Sequence, residues 1–114
     1  MPEEIKEKLH NTKFFETEKI EEVVSKADII YSTRIQKERF ADEIEYNKVK
    51  DAYIITNKTI QDAKKEMRIM HPLPRINELA QEIDKTKHAL YFTQAGNGIP
   101  VREAILKILL EEKK

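Results

Sequence analysis

Apolar and polar positions alternate along the chain in short blocks whose period changes several times, and each block predicts an element. Pro2 with Glu3 and Glu4 suits the first turn of a helix, because proline has no N–H to waste there and acids complement the dipole. This helix ends near Leu9. Residues 12–16, with Phe14 and Phe15, read as a short strand, and Thr17 caps a helix over 18–26 that gathers Ile20, Val23 and Val24 on one face. Residues 28–32 read as a buried strand. The grammar then repeats: an acidic, mobile-looking stretch over 39–45, a short helix through Tyr46 and Val49, and a strand at 53–55. A helix capped by Asn57 follows, ending near Lys65, and then a strand at 67–70. Alternation of this kind predicts an α/β fold, a mainly parallel sheet with helices on both faces.

The pattern breaks after Met70. Three of the four prolines and both glycines fall within 71–100, so most of that stretch reads as loop, with Gly96-Asn97-Gly98 as a turn before a helix start at Pro100. A final helix runs from Val101 to about Glu111. Its apolar residues (Val101, Ala104, Ile105, Leu106, Ile108, Leu109 and Leu110) surround most of the circumference, which calls for burial on more than one side. A small domain can hardly arrange that alone.

Composition narrows the function. The 114 residues suffice for one domain with a modest core, being 39% hydrophobic and 37% charged. Twenty-one Lys and Arg balance twenty-one Asp and Glu, and the bases are spread along the chain. That excludes the one-sided positive field that nucleic acid or an anionic membrane surface requires. The longest apolar run, Ile108-Leu109-Leu110, is far short of the roughly 20 residues of a membrane span, and Met1-Pro2-Glu3-Glu4 is not expected to open a signal peptide. With no cysteine there are no disulfides, thiolates or Cys-ligated zinc, so a reducing compartment fits and the cytoplasm is the expected location.

In open α/β sheets ligands bind beyond the carboxyl ends of the strands. Two post-strand loops stand out there, Thr33 through Phe40 and His71 through Arg75. The chain has only five arginines, yet Arg34, Arg39 and Arg75 fall in these loops. The planar guanidinium grips carboxylates and phosphates at two points, so a small anionic ligand is indicated. Arg34 and Gln36, two apart in an extended stretch, point the same way, and Glu38 can orient Arg34 by pairing with it. Pro72 and Pro74 have no N–H, which leaves carbonyls of the second loop free to accept from an amide or ammonium donor. Blander readings account for the same residues. Arg34, Lys37, Glu38 and Arg39 also fit a solvated charge cluster at a helix start, and Pro72-Leu73-Pro74 fits a rigid inert loop. His71 and His88, without a second imidazole at ligand spacing, read as hydrogen-bonded structural residues, and no metal or cofactor is expected.

Three segments, YSTRIQKERF at 31–40, HPLPRINE at 71–78 and YFTQAGNGIPVR at 91–102, resemble in order and spacing the aspartate-binding half of the aspartate carbamoyltransferases. The related ornithine enzymes typically carry HCLP where this chain has HPLP, and they lack the RIQKERF segment. The resemblance implies a Rossmann-like but incomplete aspartate-binding domain, with residues 1–114 forming most of it and the carbamoyl-phosphate-binding domain absent. It implies that Arg34 binds the carboxylates of L-aspartate with Gln36 beside it. Leu73 and Pro74, joined by a cis peptide, would contact carbamoyl phosphate through the backbone. Glu38, Pro72 and Arg75 would support the site, and residues 39–46 would form a loop that closes over the substrates. No residue is assigned a catalytic role.

The implied reaction is carbamoyl transfer to the aspartate amine in pyrimidine biosynthesis, within a homotrimer of the full catalytic chain. Family chains are much longer, and their first half supplies further carbamoyl-phosphate ligands and a second aspartate-binding arginine. The start, Met1-Pro2-Glu3-Glu4-Ile5, resembles an internal stretch of the family. The chain alone is therefore expected to be inactive, and its final helix to pack against the other domain. Two other readings stay open: a stand-alone module binding an amino acid or dicarboxylate, and a non-catalytic remnant.

Overall fold

The computed structural model describes residues 3–9, 12–49 and 53–111, with backbone alone at Lys48 and Val49. The expected helix start at Pro2 lies outside them. The helices are α1 (Glu3–Glu7), α2 (Glu43–Val49) and α3 (Tyr91–Glu111), and the strands are β1 (Ile29–Tyr31) and β2 (Arg68–Met70). Single 3-10 segments span Ile20–Glu22, Lys37–Arg39 and Gln81–Lys85.

The two strands run parallel, with Ile29 opposite Arg68, Ile30 opposite Ile69 and Tyr31 opposite Met70. On its other edge β2 is bonded to the chain entering α3. The Ile69 N–H donates to the His88 carbonyl at 2.7 Å, and the Leu90 N–H donates back to the Ile69 carbonyl at 3.0 Å. A second parallel bridge joins Ile55 to Leu79. The architecture is thus the expected α/β one, reduced among the described residues to a two-stranded parallel sheet and two single bridges. β2 lies centrally, and its Ile69 is fully buried in a core with Val24, Ile55, Ile60, Met67, Leu79, Ile83 and Tyr91. Fully burying an aliphatic side chain of this size is worth about 1.5–3 kcal/mol, so this one cluster anchors every segment that reaches it.

Several expectations change. Residues 12–16 are not a strand: they have no ladder partner among the described residues, and Phe15 is 73% exposed. Extended backbone needs a neighbouring edge to become a strand. In β1 only Ile30 turns to the core, while Ile29 and Tyr31 are more than half exposed, so the strand is buried on one face and not on both. The helix expected over 18–26 is a 3-10 turn followed by further turns. Thr17 does not cap it: the N-cap is Lys19, without a side-chain cap bond, and Thr17 Oγ1 accepts from the Lys19 N–H at 3.1 Å ahead of the turn, while the β-branched Ile20, Val23 and Val24 propagate a helix poorly.

Likewise 57–65 is a series of turns. The Thr59 N–H donates to Thr56 Oγ1 and the Thr56 N–H to Thr59 Oγ1, both at 3.2 Å, so this threonine pair and not Asn57 closes the first turn. The Asn57 N–H donates to Glu82 at 2.6 Å, and the β-branched Thr59 and Ile60 propagate a helix poorly. The final helix begins ten residues before the expected Val101. Gly96, Asn97, Gly98 and Pro100 lie inside α3 and form no turn before it. Proline at that place removes only the bond to the Gly96 carbonyl, and Tyr91, buried completely, anchors the helix start. Beyond Gly98 the helix is exposed, and Ile99, Val101, Ile105, Leu106, Ile108, Leu109 and Leu110 are each more than half accessible.

Candidate functional site

The parallel ladder runs on past β1, where the Ser32 N–H donates to the Met70 carbonyl at 2.9 Å. The loops that leave the two strands therefore open side by side. Between them lies a cleft of about 530 Å³ lined by Arg34, Gln36, Arg39, Pro72, Leu73 and Pro74, with Thr33, Ile35, Phe40 and His71 completing the wall.

In the first loop Gln36 is extended (φ −80, ψ 102) before the 3-10 turn Lys37–Arg39, and that geometry lets Arg34 and Gln36 share one side. Arg34 donates from Nη2 to Glu38 Oε1 at 2.6 Å, the pair expected from the sequence. Glu38 stays at the rim, its carboxyl held below the usual range by its own backbone N–H and, against a small burial cost, by Arg34. Lys37 pairs with Glu43, Phe40 packs edge-on to Tyr46 at 5.8 Å, and the Glu45 N–H is capped by Asp42 at 2.8 Å, so the stretch read as mobile carries local order.

The second loop is folded about a buried imidazole. Leu73 has φ 51 and joins Pro74 through a cis peptide. Its N–H donates to His71 Nδ1 at 2.9 Å, while His71 Nε2 lies 2.8 Å from Glu78 Oε1. Burial raises the Glu78 carboxyl, but backbone N–H groups of Glu78 and Ile76, with His71, outweigh it and hold the group below its ordinary value. Arg75 turns away from the cleft. Its guanidinium takes Asp84 at two points, with Nη2 to Oδ2 at 2.6 Å, and its Nη1 donates to the Tyr91 hydroxyl at 3.3 Å. Arg75 pulls Asp84 well below the carboxylate range. Burial first, and then Asp84, push the Tyr91 phenol up to about 12. This knot ties the loop to the third 3-10 segment and to α3.

The cleft therefore brings together Arg34, Gln36, Pro72, Leu73 and Pro74, with Glu38 at its edge and Arg75 behind it. Sequence reasoning passed over Glu78, Asp84, Tyr91 and Gln94. Only the seven-residue spacing from His71 to Glu78 hinted at a pair, and that spacing means nothing until the loop is known to double back. Among the described residues no group of His, Asp and Glu is arranged to hold a metal ion. No described helix is long and apolar enough to cross a membrane.

The site rests on the same segments that carry the sequence resemblance, and comparison with known proteins tests that resemblance. Residues 1–109 match the family model of the aspartate/ornithine carbamoyltransferase Asp/Orn binding domain. The chain belongs to this family. It is 46% identical over 114 residues to the aspartate carbamoyltransferase catalytic subunit of Methanothrix thermoacetophila, covering 98% of this chain and 38% of that protein. The fold agrees with the catalytic subunit of M. jannaschii aspartate transcarbamoylase at TM-score 0.86 and 45% identity, over 98% of this chain and 38% of that one. Trypanosoma cruzi aspartate transcarbamoylase, solved in complex with carbamoyl phosphate and aspartate, matches at TM-score 0.67 and 40% identity. That match covers 75% of this chain and 28% of the T. cruzi chain. The chain thus spans a little over a third of the length of such relatives.

Proposed function

We propose that this chain is the aspartate-binding part of an aspartate carbamoyltransferase, with residues 1–114 forming most of one domain and the carbamoyl-phosphate-binding half supplied from outside them. The observation that carries the reading is the single cleft that Arg34 and Gln36 share with Pro72, Leu73 and Pro74. One wall offers a guanidinium fork to carboxylates, and the other offers proline-flanked carbonyls to an N–H donor. In this reading Arg34 and Gln36 hold L-aspartate, Glu38 orients Arg34, Leu73 and Pro74 meet carbamoyl phosphate through the backbone, and Pro72 and Arg75 keep that loop in shape. The aspartate amine attacks the carbonyl carbon of carbamoyl phosphate. The bond from that carbon to the phosphate oxygen breaks, phosphate leaves with the electron pair, the amine gives up a proton, and N-carbamoyl-L-aspartate forms. Catalysis is by positioning and charge stabilisation, to which this chain contributes binding groups and no proton-transfer residue.

The exposed apolar length of α3 supports a partner domain lying against it. Assembly as a homotrimer of the full catalytic chain, a cytoplasmic location and a place in pyrimidine biosynthesis belong to the same proposal. Titration of the chain with L-aspartate, followed by amide NMR, tests it. The expected result is shifts at Arg34 and Gln36 and an affinity at least about tenfold weaker in Arg34→Ala, the loss of one charge-assisted contact. Equal binding by Arg34→Ala refutes the assignment. Adding the carbamoyl-phosphate half of a relative is expected to restore carbamoyl-aspartate formation.

A further inference from the structure

His71 is 1% exposed and Glu78 6%, a buried imidazole and carboxylate that the proposed reaction does not use. The partners of the imidazole fix its proton. Nδ1 receives the Leu73 N–H at 2.9 Å and so carries no hydrogen of its own, which leaves Nε2 protonated and donating to Glu78 Oε1 at 2.8 Å. The Glu78 carboxylate also accepts from the Ile76 N–H at 3.2 Å and the Asn77 N–H at 3.1 Å. The Glu78 main chain is held in turn, its carbonyl accepting from the Ile55 N–H at 3.0 Å. From the other side the His71 N–H donates to Gln94 Oε1 on α3 at 2.9 Å, and the Gln94 amide donates to the Tyr31 hydroxyl at 3.2 Å. The ring is thus held through both of its nitrogens, and the His71 main chain through Gln94.

What it holds is a leucine at φ 51, in the left-handed region that a branched side chain avoids. Nothing about leucine favours that conformation, so the surroundings must impose it. We propose that His71, kept in its Nε2–H tautomer by Glu78, is a positioning residue that fixes the Leu73 peptide at the wall of the cleft. Its importance for ligand binding rests on the reading above, that the Leu73 and Pro74 backbone faces carbamoyl phosphate.

The two amide isosteres of histidine separate the roles of its nitrogens. Asparagine can place an acceptor where Nδ1 stood, and glutamine can place a donor where Nε2 stood. The experiment is NMR of the full chain labelled with ¹⁵N, as wild type, His71→Asn and His71→Gln, with freshly dissolved carbamoyl phosphate as the probe. Wild-type His71 is expected to show the Nε2–H pattern of ring nitrogen shifts. The Leu73 amide is expected to exchange slowly in wild type and His71→Asn, and about tenfold or more faster in His71→Gln, with a parallel loss of affinity for carbamoyl phosphate. An Nδ1–H tautomer in the wild type overturns the proposal without recourse to any variant. So does equal Leu73 exchange in the two variants. If the tautomer and the exchange contrast hold but no form responds to carbamoyl phosphate, the positioning of Leu73 stands and the assignment of the cleft falls.

Discussion

Replacing Tyr91 by phenylalanine removes a single oxygen from the knot that ties the second loop to α3. The ring is completely buried, its hydroxyl donates to Asp84 Oδ1, and it accepts from Arg75 Nη1 at 3.3 Å. Phenylalanine keeps the packing and loses a hydrogen bond to a charged group, worth about 1.5–3 kcal/mol. Tyr91→Phe is therefore expected to cost about 1.5–3 kcal/mol at neutral pH and to lower Tm by roughly 10 °C. Titration sets how that gap varies with pH, because burial, and then Asp84, carry the phenol from 10.0 to about 12. The sign follows from the direction of the shift. The unfolded phenol ionises near 10 while the folded one keeps its proton to about 12, so this stabilisation is complete below 10 and drains away as pH rises between those values. Urea unfolding at pH 7, 9 and 11 measures it, because lysine titration is common to both proteins and cancels in their difference. The gap should be equal at pH 7 and 9 and smaller by about 1.4 kcal/mol at pH 11. A gap under about 0.5 kcal/mol at neutral pH, the size of an ordinary surface substitution, refutes the reasoning. So does a gap that pH 11 leaves unchanged.

At the acid end the signs reverse. Asp84 and Glu78 both titrate below their ordinary values, so their stabilisation is present above pH ~4 and is lost as pH falls through the folded values. Asp84→Asn should flatten the acid limb of a stability-against-pH curve, and an unchanged limb would count against the Arg75 pairing. Ile69→Ala empties the centre of the core and is expected to cost about 2–5 kcal/mol in urea unfolding, while a loss below about 1 kcal/mol would place the core elsewhere. Leu106→Glu together with Leu110→Lys acts on side chains 61% and 68% exposed, so thermal stability should hardly move. The double variant should bind the carbamoyl-phosphate half of a relative at least about tenfold more weakly than wild type in sedimentation, and equal binding would mean that this surface does not carry the partner domain.

The elements that could be read from the sequence are those whose signal is local or whose partners lie close by. β1 and β2 were legible because short apolar runs between turn residues have few alternatives, and their parallel pairing followed from what separates them. The Arg34–Glu38 pair was legible because four residues at a turn is a contact distance whatever the rest of the chain does. The failures have one physical origin, which is that a segment's partners decide its state. Residues 12–16 have strand composition, but no edge among the described residues pairs with them. Residues 57–65 have helix composition, yet the Asn57 N–H is taken by Glu82 and the backbone bonds that follow close separate turns.

Gly96-Asn97-Gly98-Pro100 shows the converse. Those residues signal a turn, and the buried Tyr91 with its Arg75 and Asp84 partners nonetheless starts a helix ahead of them. Propensities of about 1 kcal/mol for glycine and about 3 for proline are outweighed by tertiary contacts of comparable or larger size. The candidate site divides along the same line. The cleft-facing residues Arg34, Gln36 and Pro72 through Pro74 stood out because their chemistry is unusual for a structural loop. The groups that hold them, His71, Glu78, Gln94 and Asp84, are ordinary residues whose roles exist only once β2, the doubled-back loop and α3 are in contact. The residues that face a cleft can therefore be found by composition and spacing, while the groups that give it shape need the fold. That is why the mutations most informative about this cleft are at positions that do not face it.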